Sequence, residues 1–114
     1  QDARGGNGNG EVVEFLLASK ADPLLLSRDG FPPLHAAAYT NQSQAAKALL
    51  ESKDVSIDVN FQSPADQTTA VYTASRRGHA ELVAYLLARK ANLELASDAG
   101  FTPLIVASNA DPGM

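Results

Sequence analysis

A chain of 114 residues, 45% of them hydrophobic, holds enough apolar material for one compact domain. Its lack of cysteine excludes a disulfide scaffold, a thiolate metal site and a cysteine nucleophile. The formal net charge is −4, with acids scattered rather than in runs, which argues against the basic face that nucleic-acid backbone requires. No apolar run approaches the ~18 residues of a membrane span; the longest runs from Leu82 to Ala88.

In chain order, Gln1 to Gly10 is glycine-rich and polar, without the charged head and apolar centre of a signal peptide. The stretch Ala3 to Gly10 is poor helical sequence because of its glycines. Its Gly-Asn run also lacks the preceding strand of a phosphate cradle, and Glu11 would repel an anion. From Glu11, EVVEFLLASK has helical apolar spacing. SRDGFPPLHAAA, from Ser27 to Ala38, reads as an extended finger and then a short helix. A second helix follows as QAAKALLESK, from Gln44 to Lys53, and then ESKDVSI leads to Asp58-Val59-Asn60. The next pair is Thr69-Ala70-Val71-Tyr72 and AELVAYLLARK, the latter with Leu82, Val83, Leu86 and Leu87 inward and Glu81, Arg89 and Lys90 for solvent. SDAGFTPLIVAS closes the series: Thr102 caps a helix through its hydroxyl, Pro103 suits the first turn, and Leu104, Val106 and Ala107 supply an apolar face. Asn109 to Met114 stops before any further helix, so the chain reads as a piece of something longer.

These segments repeat. Leu17 lies 33 residues before Leu50 and Val71 lies 33 before Leu104, whereas Leu34 to Val71 is 37, an insertion of four placed mostly after Leu50. Insertions in a repeat array go to connections and spare the helices. The units are read as a partial repeat over 1–26, a repeat with the insertion over 27–63, a third over 64–96 and a truncated one over 97–114. No unit of this size buries its apolar face alone, so the array stacks. Small residues recur in the first helix of each unit (Ala36 to Ala38, Ala74 and Ser75, Ala107 and Ser108) and let neighbouring helices approach closely.

SRDGFPPLHAAA, GHAELVAYLL with KANLE, SDAGFTPLIVAS and Asp58-Val59-Asn60 resemble the ankyrin repeat, and the resemblance covers essentially the whole chain. It implies an all-α solenoid of stacked helix-loop-helix units with short β-hairpin-like fingers. Departures are clear. Pro32 stands where the family prefers Thr, a lost cap typically worth ~0.5–2 kcal/mol. Asn41-Gln42 replaces a Gly-His turn, Ile105 replaces His, and Gln67 replaces the finger glycine. By the same resemblance His35 closes the turn at a first helix and His79 starts a second helix. Lying 44 apart without a companion ligand motif, they are not a metal pair.

The resemblance implies a protein-interaction module, intracellular, without catalysis, cofactor, metal or membrane insertion, that binds another protein or peptide on a concave surface of finger tips and first-helix ends. Mapped residue by residue, the contacts are Arg28, Asp29 and Phe31, then Asp66 and Thr68, then Asp98 and Phe101, with Tyr39, Arg76 and Arg77 at the helix ends. Phe31 and Phe101 read either as exposed aromatic anchors or as packing along the finger row. Arg76-Arg77 reads either as a partner contact or as a solvated turn. The inserted loop, Ser52 to Ser56, is a second binding candidate or tolerated drift. Asn41-Gln42-Ser43 fits a glycosylation sequon by chance, and pairs such as Glu11/Glu14 and Glu94/Asp98 are surface charges rather than a carboxylate dyad. Two other readings stand beside the first: a structural spacer or self-association unit joined through its truncated ends, and an accessory domain of a larger enzyme or channel.

Overall fold

The structure is a computed structural model that describes residues 6–108, with side chains from residue 10 onward. Its helices are α1 (Gly6–Ala18), α2 (Pro33–Tyr39), α3 (Ser43–Glu51), α4 (Ala70–Arg77), α5 (Ala80–Ala88) and α6 (Pro103–Ser108). They fall into two rows. The first helices α2, α4 and α6 pack in succession, α1 packs on α3, and the consecutive pairs α2–α3 and α4–α5 pack together. This is the expected all-α repeat solenoid. Among the described residues no strand forms, and the fingers are hairpin-like turns closed by bonds such as Ser27 N–H to the Phe31 carbonyl and Ser97 N–H to the Phe101 carbonyl.

Alanine explains the first-helix row. Ala38, Ala70 and Ala74 are at most 1% exposed, and their small side chains let α2 and α4 approach closely. The core continues through Leu34, Ala45, Ala46, Leu49, Leu50, Val59, Val71, Leu82 and Leu86. Each turn between helices needs one residue in the left-handed region. Gly78 (φ 76°) supplies it after α4, where His79 N–H reaches back to the Ala74 carbonyl. Asn41 (φ 59°) supplies it after α2, with Gln42 N–H on the Ala37 carbonyl, so Asn41-Gln42 makes the same turn as Gly78-His79. At the finger tips Gly30 (φ 92°) and Gly100 (φ 90°) are matched by Gln67 (φ 63°), an L-residue held in a strained conformation.

Helix starts follow the same logic. The Thr69 hydroxyl accepts from Tyr72 N–H and the Thr102 hydroxyl from Ile105 N–H, whereas Pro32 at the same position of α2 gives no side-chain cap.

Four expectations need correction. Helix α1 extends back through Gly6–Gly10, the run judged too glycine-rich to be helical. Packing overrides propensity there: Gly10 is buried, and a Cβ on it would lie 3.1 Å from the Cβ and carbonyl oxygen of Gln44, so glycine permits the close approach of α1 to α3. In α5, Leu82 and Leu86 are buried but Leu87 is 40% exposed, because a nine-residue helix covered on one side turns Leu87 off the packed stripe. In α6, Val106 is buried whereas Leu104 is 72% exposed and Ala107 exposed, since no further described helix packs over that face. Finally, His35 does not close its own turn; its Nε2–H donates to the Thr68 carbonyl at 2.6 Å, across to the next finger. Asn109 to Met114 lie outside the described residues.

Candidate functional site

A groove of about 480 Å³ runs between α2 and α4 and under the fingers that precede them. One wall is a helical face of α2, His35, Ala36 and Tyr39, with its C-cap Thr40. The other is the corresponding face of α4: Tyr72, Thr73, Arg76 and Arg77. Ser27, Asp29 and Phe31 from one finger, with Asp66 and Thr68 from the next, close the far end.

The floor is held by a buried polar cluster. His35 is 2% exposed, and a carbonyl can only accept, so its Nε2 carries the proton given to Thr68. Burial lowers its pKa below the ordinary histidine value, against the opposing pull of the Thr68 carbonyl and the Asp66 charge, which keeps the ring neutral. Its Nδ1 is buried without a hydrogen-bond partner among the described residues. The Phe31 ring lies 6.1 Å from the imidazole and the Phe61 ring stands edge-on at 6.4 Å. Asp66 Oδ1 accepts from Ser63 Oγ and Thr68 Oγ1, both at 2.7 Å, and from Thr68 N–H. Burial alone would raise its pKa; those hydrogen bonds outweigh it and hold the carboxylate below its usual range.

The opposite end is aromatic and basic. Tyr39 is 50% exposed, and the Arg77 guanidinium lies 4.2 Å above its ring. His79 Nε2–H donates to the Tyr39 carbonyl at 3.3 Å, tying the start of α5 to the end of α2. Arg76 is exposed beside Arg77 in the last turn of α4.

Seven of the ten residues expected from the sequence therefore come together: Asp29, Phe31, Tyr39, Asp66, Thr68, Arg76 and Arg77. Thr68 is only 4% exposed and spends its hydroxyl on Asp66, so it shapes the floor. Phe31 is half-buried against His35, which favours the packing reading for it, while Phe101 is 42% exposed. Arg28, Asp98 and Phe101 lie on finger surface outside the groove, and the Asp98 backbone N–H instead joins its finger to the Asp66 carbonyl. The residues sequence reasoning missed are Ser27, Ala36, Tyr72 and Thr73, and His35 was read as structural alone. The signal was available: His35, Ala36, Tyr39 and Thr40 advanced by the 37-residue offset give Tyr72, Thr73, Arg76 and Arg77.

Elsewhere, the inserted loop is anchored by Val55 and Ile57, which pack on the core, and none of its residues lines the groove. On the outer row Tyr85 donates to Glu51 at 2.7 Å and Arg89 to the Leu50 carbonyl at 2.7 Å, linking α5 to α3. Burial and the Glu51 carboxylate push the Tyr85 phenol up to about 12. No cluster of three potential metal ligands occurs among the described residues, and no described helix is long and apolar enough to cross a membrane.

The sequence matches the family model described as ankyrin repeats (3 copies) over residues 3–63 and 55–112. It is 41% identical over 98 residues to the ankyrin repeat and KH domain-containing protein mask of Drosophila melanogaster, a match that covers 85% of this chain and 2% of that protein. It is 31% identical to alpha-latrocrustotoxin-Lt1a of Latrodectus tredecimguttatus over 84% of the chain and 6% of the toxin. It is 34% identical to the human ankyrin repeat and KH domain-containing protein 1 over 84% of the chain and 4% of that protein. The chain thus spans only a small fraction of the length of these relatives.

Proposed function

The chain belongs to the ankyrin-repeat family, whose repeats are generally protein-interaction modules, and on that premise we propose that it binds another protein or a peptide, without catalysis, in the groove between α2 and α4. One observation carries the reading: a preformed cleft of about 480 Å³ presents half-exposed Tyr39 with the exposed guanidinium groups of Arg76 and Arg77. Tyrosine and arginine are the side chains that dominate interface energetics, and buried alanines fix the helices that carry them. The His35–Thr68 and Ser63–Thr68–Asp66 bonds hold the fingers before a partner arrives, which limits the ordering cost of association. Intracellular residence accords with the family.

Affinity capture by the 114-residue chain, compared with a Tyr39→Ala/Arg76→Ala/Arg77→Ala variant of unchanged helicity, tests this. These side chains are exposed, so their removal leaves the core intact. A partner lost only with the variant supports the groove. Partners retained equally by both proteins refute it.

A second reading rests on the apolar ends. Phe15 and Leu25 near one end, and Leu104 near the other, are each more than 70% exposed. A self-association unit would use them, and so would neighbouring repeats of a long array. Sedimentation at rising concentration separates the readings, because a binding module with a free groove stays monomeric.

A further inference from the structure

The groove is electrically polar along its length, and that polarity specifies what fits. At its finger end stand the carboxylates of Asp29 and Asp66; at its helix end stand Arg76 and Arg77. The Asp29 and Arg76 side chains have no hydrogen-bond or ion-pair partner among the described residues, so the ends do not neutralise each other. Helix α4 runs from Ala70, just past the finger, to Arg76 and Arg77 in its last turn, about 10 Å at the α-helical rise. Between the ends the lining is His35, Ala36, Tyr72 and Thr73, flanked by the Phe31 ring at the finger end and the Tyr39 ring below Arg77.

From this geometry, and resting on the reading of the groove as a binding face, we infer that the occupant is an extended peptide segment with a basic side chain and an acidic side chain about four residues apart and an apolar side chain midway between them. An extended chain advances ~3.3 Å per residue, so four residues cover the length of α4. Its side chains alternate between faces, so residues i, i+2 and i+4 all point into the slot. The basic side chain meets Asp29 and Asp66, the apolar one meets the ring surface, and the acid meets Arg76 and Arg77, where a guanidinium offers a two-pronged fit to a carboxylate. A polyanion is disfavoured because the chain carries a formal net charge of −4 and the finger end of the groove is itself acidic.

The test is selection from a random-peptide display library on the immobilised 114-residue chain, in parallel with Arg76→Glu/Arg77→Glu and Tyr39→Ala variants of unchanged helicity. The expected winners carry the base–apolar–acid pattern in either chain direction, lose at least about tenfold in affinity on the double charge reversal, and weaken on Tyr39→Ala. Winners that depend on Tyr39 but lack the acid, or ignore the charge reversal, overturn this inference and leave the binding groove standing. Winners indifferent to all these substitutions overturn both. Enrichment of uniformly acidic peptides, or no enrichment over the bare matrix, also overturns the inference, because a slot of this kind binds short extended segments on its own.

Discussion

Replacing Pro32 by Thr should stabilise the array through two groups that the present sequence leaves without partners. Helix α2 starts at Pro33 with Pro32 in the capping position, at φ −77° and ψ 167°, and no side chain accepts from its first turn. Three residues on, His35 has a buried Nδ1 without a partner. A threonine at 32 keeps the extended backbone that a following proline favours. Its hydroxyl oxygen can accept from His35 N–H, as Thr69 accepts from Tyr72 N–H at 3.2 Å, and its proton can turn to Nδ1. The cap contributes about 0.5–2 kcal/mol and the second hydrogen bond about 0.5–1.5. Against this, the unfolded chain regains freedom that proline denied it, costing about 0.4–1 kcal/mol. The net gain is then about 1–2 kcal/mol, or at least about 4 °C in Tm for a domain of this size. Urea unfolding followed by circular dichroism measures it, with Pro32→Val as a control of the same shape without the hydroxyl. The midpoint should rise for Thr and not for Val, with the slope unchanged. Equal midpoints for Thr and Val would refute the account of both the missing cap and the orphaned nitrogen.

Other predictions follow from backbone strain and titration. Gln67→Gly should stabilise by about 0.5–1 kcal/mol by relieving a left-handed glutamine, whereas Asn41→Gly should be nearly neutral because asparagine tolerates that region; a comparable shift for both in urea unfolding would contradict this. His35 has a lowered folded pKa, so its contribution is complete above the unfolded value of 6.5 and declines as pH falls below that, until the folded ring protonates. Asp66, also lowered, adds stability above its ordinary value of 3.8 that is lost as pH falls further. Urea midpoints across this range should therefore fall on acidification in two stages, and His35→Gln should remove the first; an unchanged first stage in that variant would show that another group causes it. Tyr85→Phe should cost less than about 1 kcal/mol, since its bond to Glu51 is exposed to solvent, and a larger loss in the same assay would mean that the α3–α5 link matters more than its exposure allows.

The repeat period was legible because each unit spells the same physical solution: a capped short helix of small residues, a turn, an amphipathic helix and a finger. What periodicity could not convey was how packing at one point overrides local preference. Gly6–Gly10 is unfavourable helical sequence, yet it is helical where Gly10 meets Gln44 so closely that a Cβ would lie 3.1 Å from it. In the groove, Tyr39, Arg76 and Arg77 were recognisable as helix-end residues. For Thr68, nothing local says that its hydroxyl bonds to Asp66. Tyr72 and Thr73 were missed although the 37-residue offset places them opposite His35 and Ala36. Arg28, Asp98 and Phe101 hold finger-row positions, but this cleft is lined by the fingers that carry Asp29 and Asp66.

The most direct test of the groove as the binding face is photocrosslinking from single sites, with a photoreactive phenylalanine analogue in place of Tyr39 or, on the outer row, in place of Lys47. Tyr39 opens into the groove, whereas Lys47 lies beside Tyr85 on the α3–α5 side. The account predicts a discrete partner adduct from position 39 and none from position 47. An adduct from position 47 alone would place the binding surface on the outer helices and contradict it.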